Sequence, residues 1–317
     1  MVSHRTTLFE DNNVVFTVYR FKGTLYFATN NGLAYLDESE KRIKPIEGTF
    51  GQIYQFFEFQ NRLYATSDGM GLIEIKGNDF QYVRENRNYD FRSNSITQSK
   101  TDSNRIFIDH QQGLMSLYFD VASYQFVEES NSEKIKTSSG GSTVWEDDEG
   151  NLWIQSPSRG QIQKIVLNYV DGKLDLDNSD FLIYGEEKGL PESYINLSTG
   201  IGEMVLFAWE TEETYGYDKE NDRFEKRKFF FDEYIDYKIP GTRATKSSDD
   251  KIFFSVGTGL IIADKSQNGA YELNTATFKD LRNYRFYSVY PEDPRPDGTR
   301  LIWFSGPDGV IRYEGNL

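Results

Sequence analysis

The chain has 317 residues, enough to bury a large core, and a net charge of −15 that disfavours DNA, RNA or any other polyanion as a partner. It has no cysteine, which excludes disulfides, thiolate chemistry and cysteine-based zinc sites. Aromatic residues make up 15%, with 24 Phe and 21 Tyr, a composition suited to strands. No apolar run approaches the roughly 18–20 residues of a membrane span.

The N-terminus, MVSHRTTLFEDNN, has no apolar stretch of the signal-peptide kind. The sequence therefore reads as cytosolic, or as a piece cut from a longer protein. Thr6–Glu10 is a short predicted strand closed by an Asp-Asn-Asn turn. A first full unit follows, with Val15–Phe21 and Leu25–Thr29 around a Lys22-Gly23-Thr24 turn, then Gly32, Leu33–Leu36 and a more polar Arg42–Ile46. The same order recurs as Ile53–Phe59, Leu63–Thr66, Leu72–Ile75 and Phe80–Val83. The third unit is Ile96–Ser99, Ile106–Ile108, Leu114–Leu117 and Tyr124–Glu128.

The fourth unit is the clearest copy. Its hairpin runs Ser142–Trp145, an acidic turn Asp147-Asp148-Glu149-Gly150-Asn151, and Leu152–Gln155, followed by Ile162–Val166 and Phe181–Tyr184. The fifth reads Ile195–Thr199, Met204–Ala208, a third strand opening at Gly216-Tyr217, and Phe224–Phe230. The sixth reads Thr242–Lys246, Ile252–Val256, Leu260–Ala263 and Thr277–Lys279, and the seventh Phe286–Tyr290, Leu301–Phe304 and Val310–Tyr313.

Second strands begin at Leu25, Leu63, Ile106, Leu152, Val205, Ile252 and Leu301, at gaps of 38, 43, 46, 53, 47 and 49 residues. Four short strands per period in the forties is the pattern of a β-propeller. The second strands LYFAT, LYATS, LWIQS, IFFSV and LIWFS hardly alternate, as expected of strands covered on both faces by neighbouring blades. Trp153 and Trp303 take equivalent places and are expected in the core between blades. Glycines precede the third strands at Gly32, Gly71, Gly113, Gly160, Gly216, Gly259 and Gly309, where a tight turn calls for positive φ. The seventh unit lacks a fourth strand, so Thr6–Glu10 is predicted to supply it and close the ring. The reading is an all-β, seven-bladed propeller forming one domain over residues 1–317.

Three stretches carry a family resemblance. EDDEGNLWIQS at Glu146–Ser156, FLIYGEEKGLPESYIN at Phe181–Asn196 and WFSGPDGVIRY at Trp303–Tyr313 resemble the repeat and connector of the two-component regulator propeller family. The other units match more loosely. The resemblance implies the periplasmic sensor region of a hybrid histidine kinase, mostly of Bacteroidetes type, in which a β-sandwich, a membrane helix and kinase modules usually follow the propellers. It thus implies a non-catalytic, extracytoplasmic sensing domain that does not itself insert into the membrane; a second copy of the chain in the intact receptor is a further candidate partner. Absence of cysteine agrees with a periplasmic location.

Catalytic signals are weak. His4 lies near the terminus and His110 is expected to be a solvated loop residue, so no histidine-rich metal site or nucleophile-and-base pairing is built. The acidic turns Asp147-Asp148-Glu149 and Asp249-Asp250 lack calcium-loop spacing and suit hairpin turns. No cofactor or metal is expected. Ligand contacts are expected where the loops before first strands and between second and third strands converge, which carry Asn30, Asp68, His110 and Asp308 as well as six stronger candidates. These are Arg92, Arg159, Tyr194, Trp209, Glu210 and Arg243, a set that suits stacking on a sugar ring and hydrogen bonding to hydroxyls or acid groups. For Trp209 the plainer expectation is packing on a neighbouring blade, and for Arg243 an ion pair. The favoured partner is a small carbohydrate. A dimerisation scaffold without its own ligand, and a propeller glycoside hydrolase or lyase, are the rivals, since the fold alone does not decide.

Overall fold

The computed structural model describes residues 14–87, 91–137, 143–198, 203–229, 243–256, 259–266, 271–281 and 284–317. They form a seven-bladed β-propeller of antiparallel sheets. Blade 1 comprises Val15–Phe21, Thr24–Thr29, Gly32–Asp37 and Arg42–Pro45. Blade 2 comprises Ile53–Phe59, Arg62–Ser67, Gly71–Lys76 and Asp79–Glu85, and blade 3 Ser93–Gln98, Arg105–His110, Gly113–Asp120 and Gln125–Ser132. Blade 4 has Val144–Glu146, Leu152–Gln155, Ile162–Val170 and Lys173–Tyr184. Blade 5 has Ile195–Ser198, Val205–Ala208, Glu213–Asp218 and Arg223–Lys226. Blade 6 has Arg243–Lys246, Ile252–Val256, Gly259–Lys265 and Tyr271–Asn274, and blade 7 Ser288–Pro291, Arg300–Gly306 and Gly309–Gly315. The fourth strand predicted for blade 7, Thr6–Glu10, lies outside the described residues.

The core lies between the blades. Strand side chains alternate between faces, and each second strand sends one set backward and the other forward around the ring. In blade 1, Leu25 and Phe27 pack toward blade 7 while Tyr26 and Ala28 pack toward blade 2. In blade 4, Leu152 and Ile154 face blade 3 and Trp153 faces blade 5. This explains why the middle positions of the second strands are apolar on both faces. Each buried Leu, Ile or Phe among them contributes about 1.5–3 kcal/mol. Blade 1 also closes directly on blade 7, with Val15, Val18 and Phe27 against Trp303 and Val310. Among the described residues, no helix is long and apolar enough to cross a membrane.

Several local expectations need correction. Gly32, Gly71, Gly160 and Gly309 have the predicted positive φ. Gly113 does not; a Cβ there would lie 2.0 Å from the Ser132 carbonyl oxygen, so close approach of the outer strand explains it. Gly216 sits inside the third strand of blade 5, which begins at Glu213, and leaves room for the Arg227 side chain to lie across the sheet. The outer strand of blade 6 is Tyr271–Asn274, whereas Phe278 and Leu281, at the predicted strand Thr277–Lys279 and the 3₁₀ turn beside it, plug the junction with blade 7. The outer hairpin of blade 4 is longer than predicted. Its extension folds onto the outer strand of blade 3, where the Leu174 and Leu176 N–H groups donate to Glu129 Oε1 (3.2 Å) and Ser130 Oγ (2.9 Å).

Candidate functional site

Two turns meet on the loop face between blades 4 and 5. Gly160, at φ +70°, lets the loop after Leu152–Gln155 approach the segment before Ile195–Ser198, and its N–H donates to the Ser193 carbonyl at 2.7 Å. Gly189, at φ +89°, starts the second turn; a Cβ there would lie 2.1 Å from the Phe224 carbonyl oxygen. The Trp209 N–H donates to the Tyr194 carbonyl at 3.0 Å, extending the strand pairing into the loop.

This arrangement gathers four of the six candidates. Glu210 accepts the Tyr194 N–H at 2.8 Å and a short hydrogen bond from the Ser193 hydroxyl, which in turn accepts the Glu210 N–H at 3.0 Å. Arg159 Nη2 lies 3.0 Å from Glu210 Oε1, and the guanidinium sits 5.4 Å from the centre of the Tyr194 ring. The Ser193 hydroxyl, then the Tyr194 N–H and the Arg159 charge, hold the Glu210 carboxyl below the usual range, although partial desolvation opposes them. Tyr194 is 58% exposed and Trp209 44% exposed, so Trp209 is not the packed inter-blade residue expected of an isolated tryptophan. The site is a fixed, charged platform flanked by two open aromatic rings. Such rings offer apolar faces, and the pair beside them offers donors and acceptors.

The other candidates lie apart. Arg92 precedes the first strand of blade 3, accepts the Gln111 N–H at 3.0 Å through its carbonyl, and influences Tyr54 together with Asp68. Burial, and then the Asp68 charge, push the Tyr54 phenol up to about 12, against the pull of Arg92. Tyr54 belongs to an aromatic run on and just before the first strands of blades 2, 1 and 7, with ring centres 5.5 Å from Tyr54 to Phe16 and 5.8 Å from Phe16 to Tyr287. Arg243 opens the first strand of blade 6 opposite Ser255; its side chain lies outside the described residues. Asn30 Oδ1 accepts the Val14 N–H at 3.1 Å, Asp68 Oδ1 accepts the Gln52 N–H at 2.7 Å, and Asp308 is exposed.

His110 corrects the sequence reading. It ends the second strand of blade 3, is 1% exposed, packs with its ring centre 5.0 Å from that of Phe91 at a tilt of 39° and shares a 3.0 Å hydrogen bond between Nε2 and Asn131 Oδ1. The acidic turn is equally occupied with structure. Asp147 accepts the N–H groups of Glu149 (3.0 Å) and Asn151 (2.8 Å) and the Trp153 indole N–H (2.9 Å). Sequence reasoning missed Ser193; its only signal is a small hydroxyl residue beside Tyr194 in a Gly-Leu-Pro turn, a place where such side chains cap turns.

No family model matches the sequence, and no curated protein matches it. Solved structures do resemble it. The extracellular domains of two B. thetaiotaomicron proteins assigned as hybrid two-component systems align with TM-scores of 0.58 at 10% and 16% identity, over 96% and 97% of this chain. The chain spans 38% and 40% of their lengths. Virginiamycin B lyase from Staphylococcus aureus aligns with a TM-score of 0.59 at 10% identity, over 97% of both chains. At these identities the likeness establishes the propeller fold, one shared by extracellular domains of two-component systems and by a lyase.

Proposed function

We propose that this propeller is a non-catalytic, extracytoplasmic sensor domain that binds a small carbohydrate on its loop face between blades 4 and 5. The observation that carries the reading is the open pair Tyr194 and Trp209 beside the fixed Arg159–Glu210 pair. Exposed rings next to hydrogen-bonding groups suit the alternating apolar faces and hydroxyl rims of a sugar. The sensor-type neighbours support the same reading, as does the resemblance of the Glu146–Ser156 repeat. In the intact receptor the domain is expected to act in a homodimer.

The rival reading is a lyase. One structural neighbour is a virginiamycin B lyase that a single histidine-to-alanine substitution inactivates. Here the one histidine among the described residues is His110, which is buried and engaged, so it offers no solvent-facing base. The test is a thermal-shift screen against oligosaccharides with products assayed in the same wells. A binding ligand raises the Tm by mass action. The expected outcome is a saturable shift without turnover, weakened about tenfold or more in affinity by Trp209→Ala. Product formation would replace the sensor reading with an enzymatic one. A shift unaffected by Trp209→Ala would move the site elsewhere.

A further inference from the structure

The first strands carry a feature that the sugar-binding reading does not use. They touch one another around the ring and line its axis. In blades 1, 2 and 7 the first core-facing residues lie three apart instead of two: Val15 and Val18, Ile53 and Phe56, Phe286 and Val289. One extra residue follows the first of each pair, and it is aromatic every time: Phe16, Tyr54 and Tyr287. β-Bulges at Val15–Thr17 and Ile53–Gln55 take in the first two. In blade 7 the Tyr287 N–H bonds the Ser305 carbonyl at 2.7 Å while Ser288 pairs with the same Ser305, again two residues against one.

A strand alternates with period two, so an extra residue belongs to neither blade-facing set. None of the three rings joins the cores on either side. They meet one another instead, and the planes of Phe16 and Tyr287 lie within 20° of parallel. All three remain partly exposed. A bulge breaks a rung of the ladder and re-aims a side chain, here at the loop-face mouth of the axial channel.

The two ends of this row differ. Beside Tyr54 stand Asp68 and Arg92, of opposite charge. Beside Tyr287 stands Arg285, its guanidinium 5.7 Å from the ring centre. Phe286 between them turns into the core, so Arg285 and Tyr287 share the other side of the segment. Arg285 is exposed and makes no ion pair among the described residues, although acidic residues outnumber Lys and Arg by 50 to 35. Asp308, which lines the recess beside it, stays beyond ion-pair distance. Ring faces next to an open guanidinium fork match a flat apolar group that ends in a carboxylate.

We propose that the channel mouth at blades 7, 1 and 2 is a second binding site, separate from the platform between blades 4 and 5, and that it takes a small aromatic carboxylate. The ligand ring extends the row at Phe16 and Tyr287, and its carboxylate takes the fork of Arg285.

The experiment is a calorimetric titration with phenylacetate. Cyclohexylacetate keeps the charge without a planar ring, and phenylacetamide keeps the ring without the charge. Saturable binding of phenylacetate is expected, with both comparison compounds weaker by about tenfold or more. Arg285→Gln replaces an exposed side chain and is expected to keep the Tm while losing a similar factor in affinity. Phe16→Leu, which removes the central ring, should weaken binding as well. Trp209→Ala should leave the titration unchanged, which separates this site from the sugar-binding proposal. Three results would overturn the inference: no saturable heat at millimolar phenylacetate, equal binding of cyclohexylacetate, or undiminished binding by Arg285→Gln. The first would leave the row as packing of the channel wall alone.

Discussion

Two junctions in the ring are built on the same tryptophan and end differently. At the junction of blades 7 and 1, Trp303 donates its indole N–H to Glu292 Oε1 at 2.6 Å; at the junction of blades 4 and 5, Trp153 donates to Asp147 Oδ2 at 2.9 Å. The register is equivalent, since the Glu292 N–H bonds the Leu301 carbonyl and the Asp147 N–H bonds the Asn151 carbonyl, each two residues before the tryptophan. Glu292 is one methylene longer and reaches the next blade, where Arg20 grips it through Nε and Nη2, both at 2.9 Å. Asp147 turns back on its own hairpin, and its nearest ammonium is Lys164 of the same blade at 4.0 Å. One junction is therefore tied across the blades by a two-point ion pair, and the other retains a cleft. The same aromatic plug yields either a closed seam or an open cleft, depending on where its carboxylate finds a cation.

The strongest way to break this comparison is to remove the plugs. Trp303→Ala and Trp153→Ala each leave a large cavity and are expected to cost about 3–5 kcal/mol. Trp303 should lie at the upper end, because it also braces the first blade against the last. Urea denaturation of both variants measures this. If Trp153→Ala proved the costlier, the cleft junction would be the more tightly coupled of the two.

A third junction sharpens the point through pH. Between blades 3 and 4, Glu129 accepts Arg105 Nε at 2.7 Å and Nη2 at 3.0 Å, the Ser116 hydroxyl at 2.8 Å and the Leu174 N–H. Burial alone would raise the Glu129 pKa, but the Arg105, Ser116 and Leu174 bonds outweigh it and the carboxyl lies below its ordinary 4.5. The folded value is depressed, so the stabilisation is complete above the unfolded value and is lost as pH falls from about 4.5 toward the folded one. Glu129→Gln is expected to cost about 1.5–3 kcal/mol at neutral pH. It should also flatten the fall of the urea midpoint on acidification. An unchanged acid limb would show that other carboxylates govern that fall.

The blade pattern was legible because burying both faces of a second strand leaves an unusual apolar signature, and tight turns place glycines before the third strand in blades 1, 2, 4 and 7. Trp153 and Trp303 were legible as core for the same reason. The long hairpin of blade 4 was not, because its tip is polar and what holds it, Leu174 and Leu176 packed on blade 3 and the Ser132 hydroxyl bonded to Asp177, comes from a neighbouring blade. His110 read as solvated because its partner, Asn131, lies 21 residues away on a strand whose extent the sequence did not mark. The loop-face candidates were legible as exposed and chemically suitable, but their grouping was not. Arg159 and Glu210 pair directly once Ser193, an unremarked residue, holds the Glu210 carboxylate, whereas Arg92 has the same chemistry and stands with Tyr54 and Asp68.

The smallest effect is the most informative about the two seams. Glu292→Asp keeps the charge and withdraws it by one methylene. The indole bond of Trp303 has a precedent for survival, since Asp147 makes it from the equivalent place. The two-point grip of Arg20 has no such precedent. The expected loss is about 0.5–1.5 kcal/mol, the net value of one intramolecular hydrogen bond. Arg20→Ala should cost more in the wild type than in the Glu292→Asp background, because in the latter the grip is already loosened. A double-mutant cycle read from urea midpoints gives that difference directly. If the two changes simply added, the reach of Glu292 would not be what ties blade 7 to blade 1, and the contrast with Asp147 would rest on the packing around the tryptophans alone.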